Sequence, residues 1–321
     1  MGKVGYQYVY GPVPSRRLGR SLGVDLVPFK TCTYDCVYCQ LGRTTNKTIG
    51  RRKYIAIDKI LAELEQKLAA KNTPDYITVS GSGEPTLNSG IGDLIGKIKD
   101  LTDIPVAVIT NGSLLWMRDV QDALMAADLV LPSLDAGDEQ LFQYVNRPHR
   151  GISFDLMVDG ITAFTRRFPR EVWIEVLLLG GVTGIPAEVE KIASSVGRIG
   201  PARVQLNTVS RPPAKEFAFP VDLDQLERFL RFFPGSADVI SENRPSKSKP
   251  VRAPTVTDAN ILALLRRRPC TLADVASGLG IHKMEALKHL DALTKAGKTT
   301  TALAGGRTFY AAVGLMEVTR S

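Results

Sequence analysis

The sequence predicts an α/β chain: a partial, open (β/α)6 TIM-like barrel followed by a C-terminal winged helix-turn-helix domain. Three observations carry that prediction. From Leu22 to Asn207, strand-sized apolar runs alternate with longer segments whose apolar residues recur at helical spacing. Polar motifs fall directly after four strands, where a barrel places its site. Past a Pro/Ser/Lys-rich stretch the pattern becomes helix, helix, turn, helix and hairpin. The expected boundaries are a barrel with an N-terminal extension over 1–240, a linker over 241–256 and the winged-helix domain over 257–321.

The elements follow in order. Gly23–Val27 is a strand leading into a loop with three cysteines. Ile57–Lys71 places Ile57, Ile60, Leu61, Leu64 and Leu68 on one helical face. Tyr76–Val79, Ile104–Ile109, Leu129–Leu134, Val172–Leu179 and Val204–Leu206 read as strands. Ile91–Leu101, Trp116–Ala126, Ser153–Phe168, Pro186–Val196 and Leu223–Phe232 read as helices between and after them. Six strands are too few for a closed eight-stranded barrel, hence the partial one. Asp238–Thr257, with Pro245, Ser246, Lys247, Ser248, Lys249 and Pro250, is the linker region. Helices over Asp258–Arg267, Thr271–Leu279 and His282–Ala296 precede a hairpin of Thr299–Leu303 and Thr308–Val313 turned by Gly305-Gly306.

Composition narrows the function classes. The chain is 44% hydrophobic and 23% charged, with no run of about 18 apolar residues, which excludes a membrane-spanning helix. Met1–Tyr10 lacks the charged start and apolar block of a secretory leader. Four cysteines in 321 residues cannot make a disulfide scaffold, so a cytoplasmic, reducing location is expected. The net charge of +8 is concentrated at the C-terminus: residues 251–321 hold ten Lys/Arg against five Asp/Glu, leaving +3 for the rest. A basic domain suits phosphate binding, though a solvated surface has the same composition.

Cys32-Thr33-Tyr34-Asp35-Cys36-Val37-Tyr38-Cys39 is a C-x3-C-x2-C loop. Three thiolates this close can wrap one metal centre. Structural zinc closes with four ligands, usually as two separated pairs. The remaining cysteine, Cys270, lies far along the chain before a helix and reads as a small buried residue. A [4Fe–4S] cube on three thiolates leaves one iron open to a small ligand. Ser82-Gly83-Glu84-Pro85, Asn111, Ser133 with Asp135, Leu179-Gly180-Gly181-Val182 and Asn207 follow later strands.

With those residues the sequence resembles the radical S-adenosylmethionine (radical SAM) superfamily, whose signature has this cysteine spacing and an aromatic before the third cysteine, here Tyr38. The resemblance spans roughly residues 20–210. It implies a [4Fe–4S] cluster on Cys32, Cys36 and Cys39, with S-adenosylmethionine on its open iron. It implies that Gly83 and Glu84 meet the methionine amino group, that Ser133 and Asp135 hold ribose hydroxyls, and that Asn111 contacts cofactor. Asn207 would lie near the adenine edge. It also implies reductive cleavage of a carbon–sulfur bond, a 5′-deoxyadenosyl radical, and a one-electron donor of flavodoxin or ferredoxin type. Gly11–Asp25 together with Thr31–Thr45 resembles an iron–sulfur oxidoreductase branch related to the wyosine-forming tRNA enzymes. Those enzymes carry extra cysteines before this motif, and this chain has none before Cys32.

Other residues admit plainer readings. Arg16, Arg17 and Arg20 suit either a carboxylate or phosphate near the cluster, or a solvated turn. Lys30, Arg43 and Arg51-Arg52-Lys53 read as solvated charges. Asn146-Arg147-Pro148-His149-Arg150 reads as a substrate-side loop, with His149 a loop residue and not a proton donor. Glu175, between Ile174 and Val176, is expected to face the barrel interior. His282 and His289 are expected to share a helix face without chemistry. The winged-helix domain admits RNA, DNA or peptide binding, or dimerisation, with Lys283, Lys288 and Lys295 interrupted by Glu285 and Asp291. RNA-base modification is the first substrate expectation and a peptide or small molecule the second. The rival class is an iron–sulfur DNA-binding regulator without turnover.

Overall fold

The structure, a computed structural model, describes residues 8–15, 17–69, 73–240 and 256–315. β1 (Val9–Ser15) turns back antiparallel into β2 (Gly19–Val24). Two-residue strands β3 (Thr31–Cys32) and β4 (Asn46–Lys47) pair in parallel within the cysteine loop. Alternation follows: α1 (Ile57–Leu68), β5 (Tyr76–Val79), α2 (Ile91–Leu101), β6 (Val106–Thr110), α3 (Arg118–Leu124), β7 (Leu129–Pro132). Next come α4 (Glu139–Val145), α5 (Phe154–Arg167), β8 (Glu171–Leu178), α6 (Pro186–Ile199), β9 (Arg203–Thr208), α7 (Leu223–Phe229) and β10 (Ala237–Val239). One sheet runs β1-β2-β5-β6-β7-β8-β9-β10, and every pair after β1–β2 is parallel.

Because strand order equals chain order, right-handed crossovers put the helices on one face of the sheet. Leu22, Val24, Ile77, Val108, Ile174 and Leu206 point to that face and share the main core with helix residues such as Ile60, Leu94, Ile161 and Ile192. The period of two then turns Ser21, Thr78, Ala107, Leu131, Glu175 and Gln205 to the opposite face. Leu18, in the β1–β2 turn, packs there with Ala107, Leu129 and Leu131. The inner face is thus filled by apolar side chains near the strands' N-terminal ends. The polar loops gather at the other end.

This is the mixed α/β, parallel-sheet arrangement expected of a partial barrel, with differences. The first parallel strand is Gly19–Val24, ahead of the expected Gly23–Val27. β1 was expected only as an extension: Gly11, Pro12 and Pro14 disguise it, yet an edge strand tolerates prolines, and the register shifts between Tyr10 and Val13. β10 is too short for periodicity. α4 was not anticipated, although Asp138 caps it by accepting from the Leu141 N–H (2.9 Å). The expected linker at 241–256 lies, except for Val256, outside the described residues, as does Arg16.

Residues 258–312 form three helices and a hairpin: α8 (Asp258–Leu265), α9 (Leu272–Leu279), α10 (Lys283–Lys295), β11 (Thr299–Ala304) and β12 (Arg307–Ala312). Thr257 and Thr271 cap α8 and α9 in capping boxes, and Gly280 ends α9 at φ 65°. His282 is the α10 N-cap, accepting from the Met284 N–H, while His289 bonds Asp258, so the two do not act as a pair. This unit packs on the rest of the chain. Val13 and Tyr10 of β1 join its core, and the Arg267 guanidinium stacks on the Tyr10 ring at 4.6 Å. Ala302, Ala311 and Leu315 cluster with Leu41 and Cys39. Among the described residues no helix is long and apolar enough to cross a membrane.

Phe142 of α4 packs edge-on against Tyr34 of the cysteine loop and Phe154 of α5. Phe142→Ala is expected to lower unfolding free energy by about 3–5 kcal/mol in urea titrations, whereas Leu303→Ala, at 76% exposure, should change it by less than about 0.5 kcal/mol.

Candidate metal centre and cofactor site

The cysteine loop leaves the C-terminal end of β2 and is strapped down by backbone bonds from three directions. From the β5 side, the Lys30 N–H donates to Ser82 O (2.7 Å) and the Glu84 N–H to Thr31 O (3.1 Å). From the β4 side, the Thr48 N–H donates to Cys32 O (3.0 Å). From the segment after α4, His149 N–H donates to Thr33 O (2.8 Å), while Asp35 and Val37 N–H groups donate to Asn146 O and Val145 O. Gly83 permits the closest approach: a Cβ there would sit 1.9 Å from Thr31 O.

Each thiol has its own N–H donor. Asn111 Nδ2 approaches Cys32 Sγ at 3.6 Å, Asn146 Nδ2 approaches Cys36 Sγ at 3.6 Å, and Lys30 Nζ approaches Cys39 Sγ at 3.2 Å. Burial pushes the Cys32 thiol up to about 12 and holds Cys36 well above the ordinary thiol range. Such thiols need a Lewis acid to ionise, which is what a metal centre supplies. Burial works against the Lys30 ammonium, but the facing Cys39 together with Cys32 and Cys36 holds the group above the usual lysine range.

Among the described residues no three His, Cys, Asp or Glu converge tightly enough for one metal ion. A cube that puts each thiolate on a separate iron does not require that convergence, whereas tetrahedral zinc does. Cys270 belongs to the C-terminal unit, where it is buried with its N–H and C=O both bonded to Tyr310. The donor set therefore fits a cluster with one iron not held by cysteine.

The expected cofactor residues ring this loop. Glu84 is 1% exposed: its Oε1 accepts from the Thr86 N–H and hydroxyl and the Thr110 hydroxyl, and its Oε2 from the Asn111 N–H (2.8 Å). Asn111 also donates to Thr33 Oγ1 (2.7 Å). Asp135 accepts from Tyr38 OH, from Asn146 Nδ2 (2.8 Å) and from the Leu177 N–H (3.1 Å). Burial raises both carboxyls, against the lowering effect of these donors. Ser133 is half-buried and bridges Glu175 through the backbone. Asn207 donates to Glu175 Oε1 (2.8 Å). Tyr38 and Val182 share an apolar patch with Val37, Leu177 and Leu179.

Glu175 does face the sheet's inner side, where it also pairs with Arg17. Arg17 reaches this carboxylate from the β1–β2 turn, and the Arg20 N–H bonds Asp75 beside that turn. One residue was misjudged from sequence, and a second was read only as part of a loop. Lys30 is buried where a solvated charge was expected, and Asn146 is 2% exposed with its Oδ1 unpartnered. No local pattern marks Lys30. Asn146 was visible only as part of a polar pentapeptide.

The comparisons with known proteins bear on this geometry. Residues 26–195 match the radical SAM superfamily. The chain belongs to that superfamily. A UPF0026 protein of Methanocaldococcus jannaschii is 37% identical over 237 residues, 73% of each chain. A Brachyspira hyodysenteriae protein named GTPase Obg is 39% identical over 305 residues, 94% of this chain but 45% of that longer protein. Of solved structures, Streptococcus suis SuiB bound to S-adenosylmethionine superposes at a TM-score of 0.51 with 15% identity, over 68% of this chain and 50% of that one. The radical SAM matched segment contains the cysteine loop, Glu84, Asn111 and Asp135.

After anaerobic reconstitution, Cys32→Ala, Cys36→Ala and Cys39→Ala are each expected to lose the broad visible iron–sulfur absorbance, and Cys270→Ala to keep it. Gly83→Ala should also lose iron, because its new Cβ collides with the Thr31 carbonyl. Full iron content in Cys36→Ala would refute the ligand assignment.

Proposed function

We propose that this radical SAM enzyme binds a [4Fe–4S] cluster on Cys32, Cys36 and Cys39 and S-adenosylmethionine beside it, and uses reductive cleavage of that cofactor to modify an RNA base. The observation that supports the first part most directly is the three-thiol strap, with a separate N–H donor on each sulfur. The bound cluster supplies one electron to the sulfonium.

The chain's own residues bind and orient. Glu84 Oε2 accepts a single donor, so a lone pair is left for the methionine ammonium. Asp135 Oδ1 likewise accepts only the Leu177 N–H, leaving room for a ribose hydroxyl beside Ser133. Asn146 Oδ1, buried without a partner, offers a further acceptor at the same place. The patch of Val37, Leu177, Leu179 and Val182 beside Tyr38 supports an apolar wall for the adenine, with Asn207 at its rim. Burial of these groups excludes water from a reactive intermediate.

The substrate reading draws on the C-terminal unit. We read its order of helices and hairpin as a winged helix-turn-helix, over residues 257–321, joined by a linker at 241–256. Lys283, Lys288 and Lys298 are exposed and form no ion pair among the described residues, which suits a phosphate backbone. Lys295 is paired with Asp291. The electron is proposed to come from a flavodoxin- or ferredoxin-type protein in the cytoplasm.

Reduced, reconstituted protein with S-adenosylmethionine is expected to release 5′-deoxyadenosine. Asp135→Asn should lower that yield at least about tenfold while keeping iron, since a lost charge-assisted bond is worth ~1.5–3 kcal/mol. Cluster-replete protein that never cleaves the cofactor yet binds specific DNA would overturn the enzyme reading in favour of a regulator. Salt-sensitive binding of a specific transfer RNA is expected, and its absence would remove RNA as substrate.

A further inference from the structure

Lys30 stands two residues before Cys32 and is 3% exposed. Its backbone lies in the left-handed region at φ 55°, which a lysine seldom adopts. Two backbone bonds hold it there: its N–H donates to Ser82 O (2.7 Å), and its carbonyl accepts from the Asn46 N–H (3.1 Å). This places Nζ 3.2 Å from Cys39 Sγ. Among the described residues no Asp or Glu forms an ion pair with it; the group its ammonium faces is the Cys39 sulfur. Asn111 and Asn146 bring neutral donors to the other two sulfurs, so Lys30 alone brings a full charge.

A long, flexible cation is normally left in water, with only its stem buried. Here the fold gives up that freedom to hold the ammonium against one cysteine sulfur. We propose that Lys30 is a positioning residue whose fixed charge raises the reduction potential of the cluster. The proposal rests on reading Cys32, Cys36 and Cys39 as the cluster ligands. Reduction adds one electron from an external one-electron donor and makes the cluster and its thiolates more negative. A cation held in a low-dielectric pocket favours that more negative state over the oxidised one. The step moves one electron from the donor to the cluster, and no bond is made or broken at Lys30.

The experiment compares wild type with Lys30→Met, Lys30→Gln and Lys30→Arg after anaerobic reconstitution. Iron and sulfide are assayed first. Midpoint potentials are then measured by dye-mediated dithionite titration followed by electron paramagnetic resonance, without added S-adenosylmethionine. Lys30→Met and Lys30→Gln should hold iron and show clearly lower potentials, with Lys30→Arg close to wild type. Equal potentials in all four proteins would overturn the proposal. If Lys30→Met alone fails to fold or to hold iron, the Gln and Arg variants decide by the same criterion. Loss of iron from all three variants would overturn it too, marking Lys30 as part of the loop's scaffold only. Wild type that takes up no cluster would refute the ligand assignment instead, and the iron assay shows this before any potential is measured.

Discussion

The contact between the Thr31 carbonyl and the Ser82–Pro85 turn is the constraint on which the rest of the site depends. A Cβ at Gly83 would overlap that carbonyl, and the Glu84 N–H binds it. The contact fixes the start of the cysteine loop against the end of β5. It also commits Glu84 to its buried position, from which its carboxylate gathers the Thr86 and Thr110 hydroxyls and the Asn111 backbone. Asn111 in turn reaches back to Thr33 and Cys32. The loop and two strand ends therefore form a closed circuit of bonds, in which shifting one member strands a buried polar partner. Burying such a group unpaired costs roughly 1–3 kcal/mol, so the circuit resists piecemeal loosening.

A second circuit ties the far side of the loop. Asn146 touches Cys36, Tyr38 and Asp135 with its side-chain amide nitrogen, while its backbone carbonyl accepts the Asp35 N–H. Arg147 follows at φ 47°, and its carbonyl takes the Asp35 and Lys47 donors. Backbone held in this sparsely used region is tolerated where surrounding bonds over-determine it. The two circuits meet at the cysteines from opposite sides, and this is why their geometry can be set before any metal binds.

Much of this was legible in the sequence, and the exceptions have physical causes. The strands Tyr76–Val79 and Leu129–Leu134 were readable as short runs rich in apolar residues because both faces of the sheet are buried, and the helices Ile91–Leu101 and Ser153–Phe168 because burial on one face imposes a period. The cysteines and Glu84 were readable because their chemistry needs fixed spacing beside a strand end. β1 was hidden by its prolines, since an edge strand need not donate along its whole length. Lys30 was hidden for a different reason. Nothing local separates a lysine aimed at a thiol from one aimed at water; what turns it inward is a backbone bond to Ser82, fifty-two residues away along the chain. Arg17 likewise finds its partner far along the chain, Glu175, which only the assembled sheet brings to it.

The balance of charge completes the argument. Glu84, Asp135 and three cysteines surround the proposed cofactor site, and the buried cation facing them is Lys30. Burial works against the charged forms of Glu84, Asp135, Cys32 and Cys36, so negative charge gathered at this site is under strain. A cationic ligand relieves that strain and an anionic one adds to it. S-adenosylmethionine carries a sulfonium and an ammonium against one carboxylate, and so matches the excess. The C-terminal unit lies close enough to feel such changes, because Ala302, Ala311 and Leu315 pack on Leu41 and Cys39. The hairpin thereby shares an apolar cluster with the third cysteine of the loop. Events at the appended unit and at the metal centre therefore share one apolar interface.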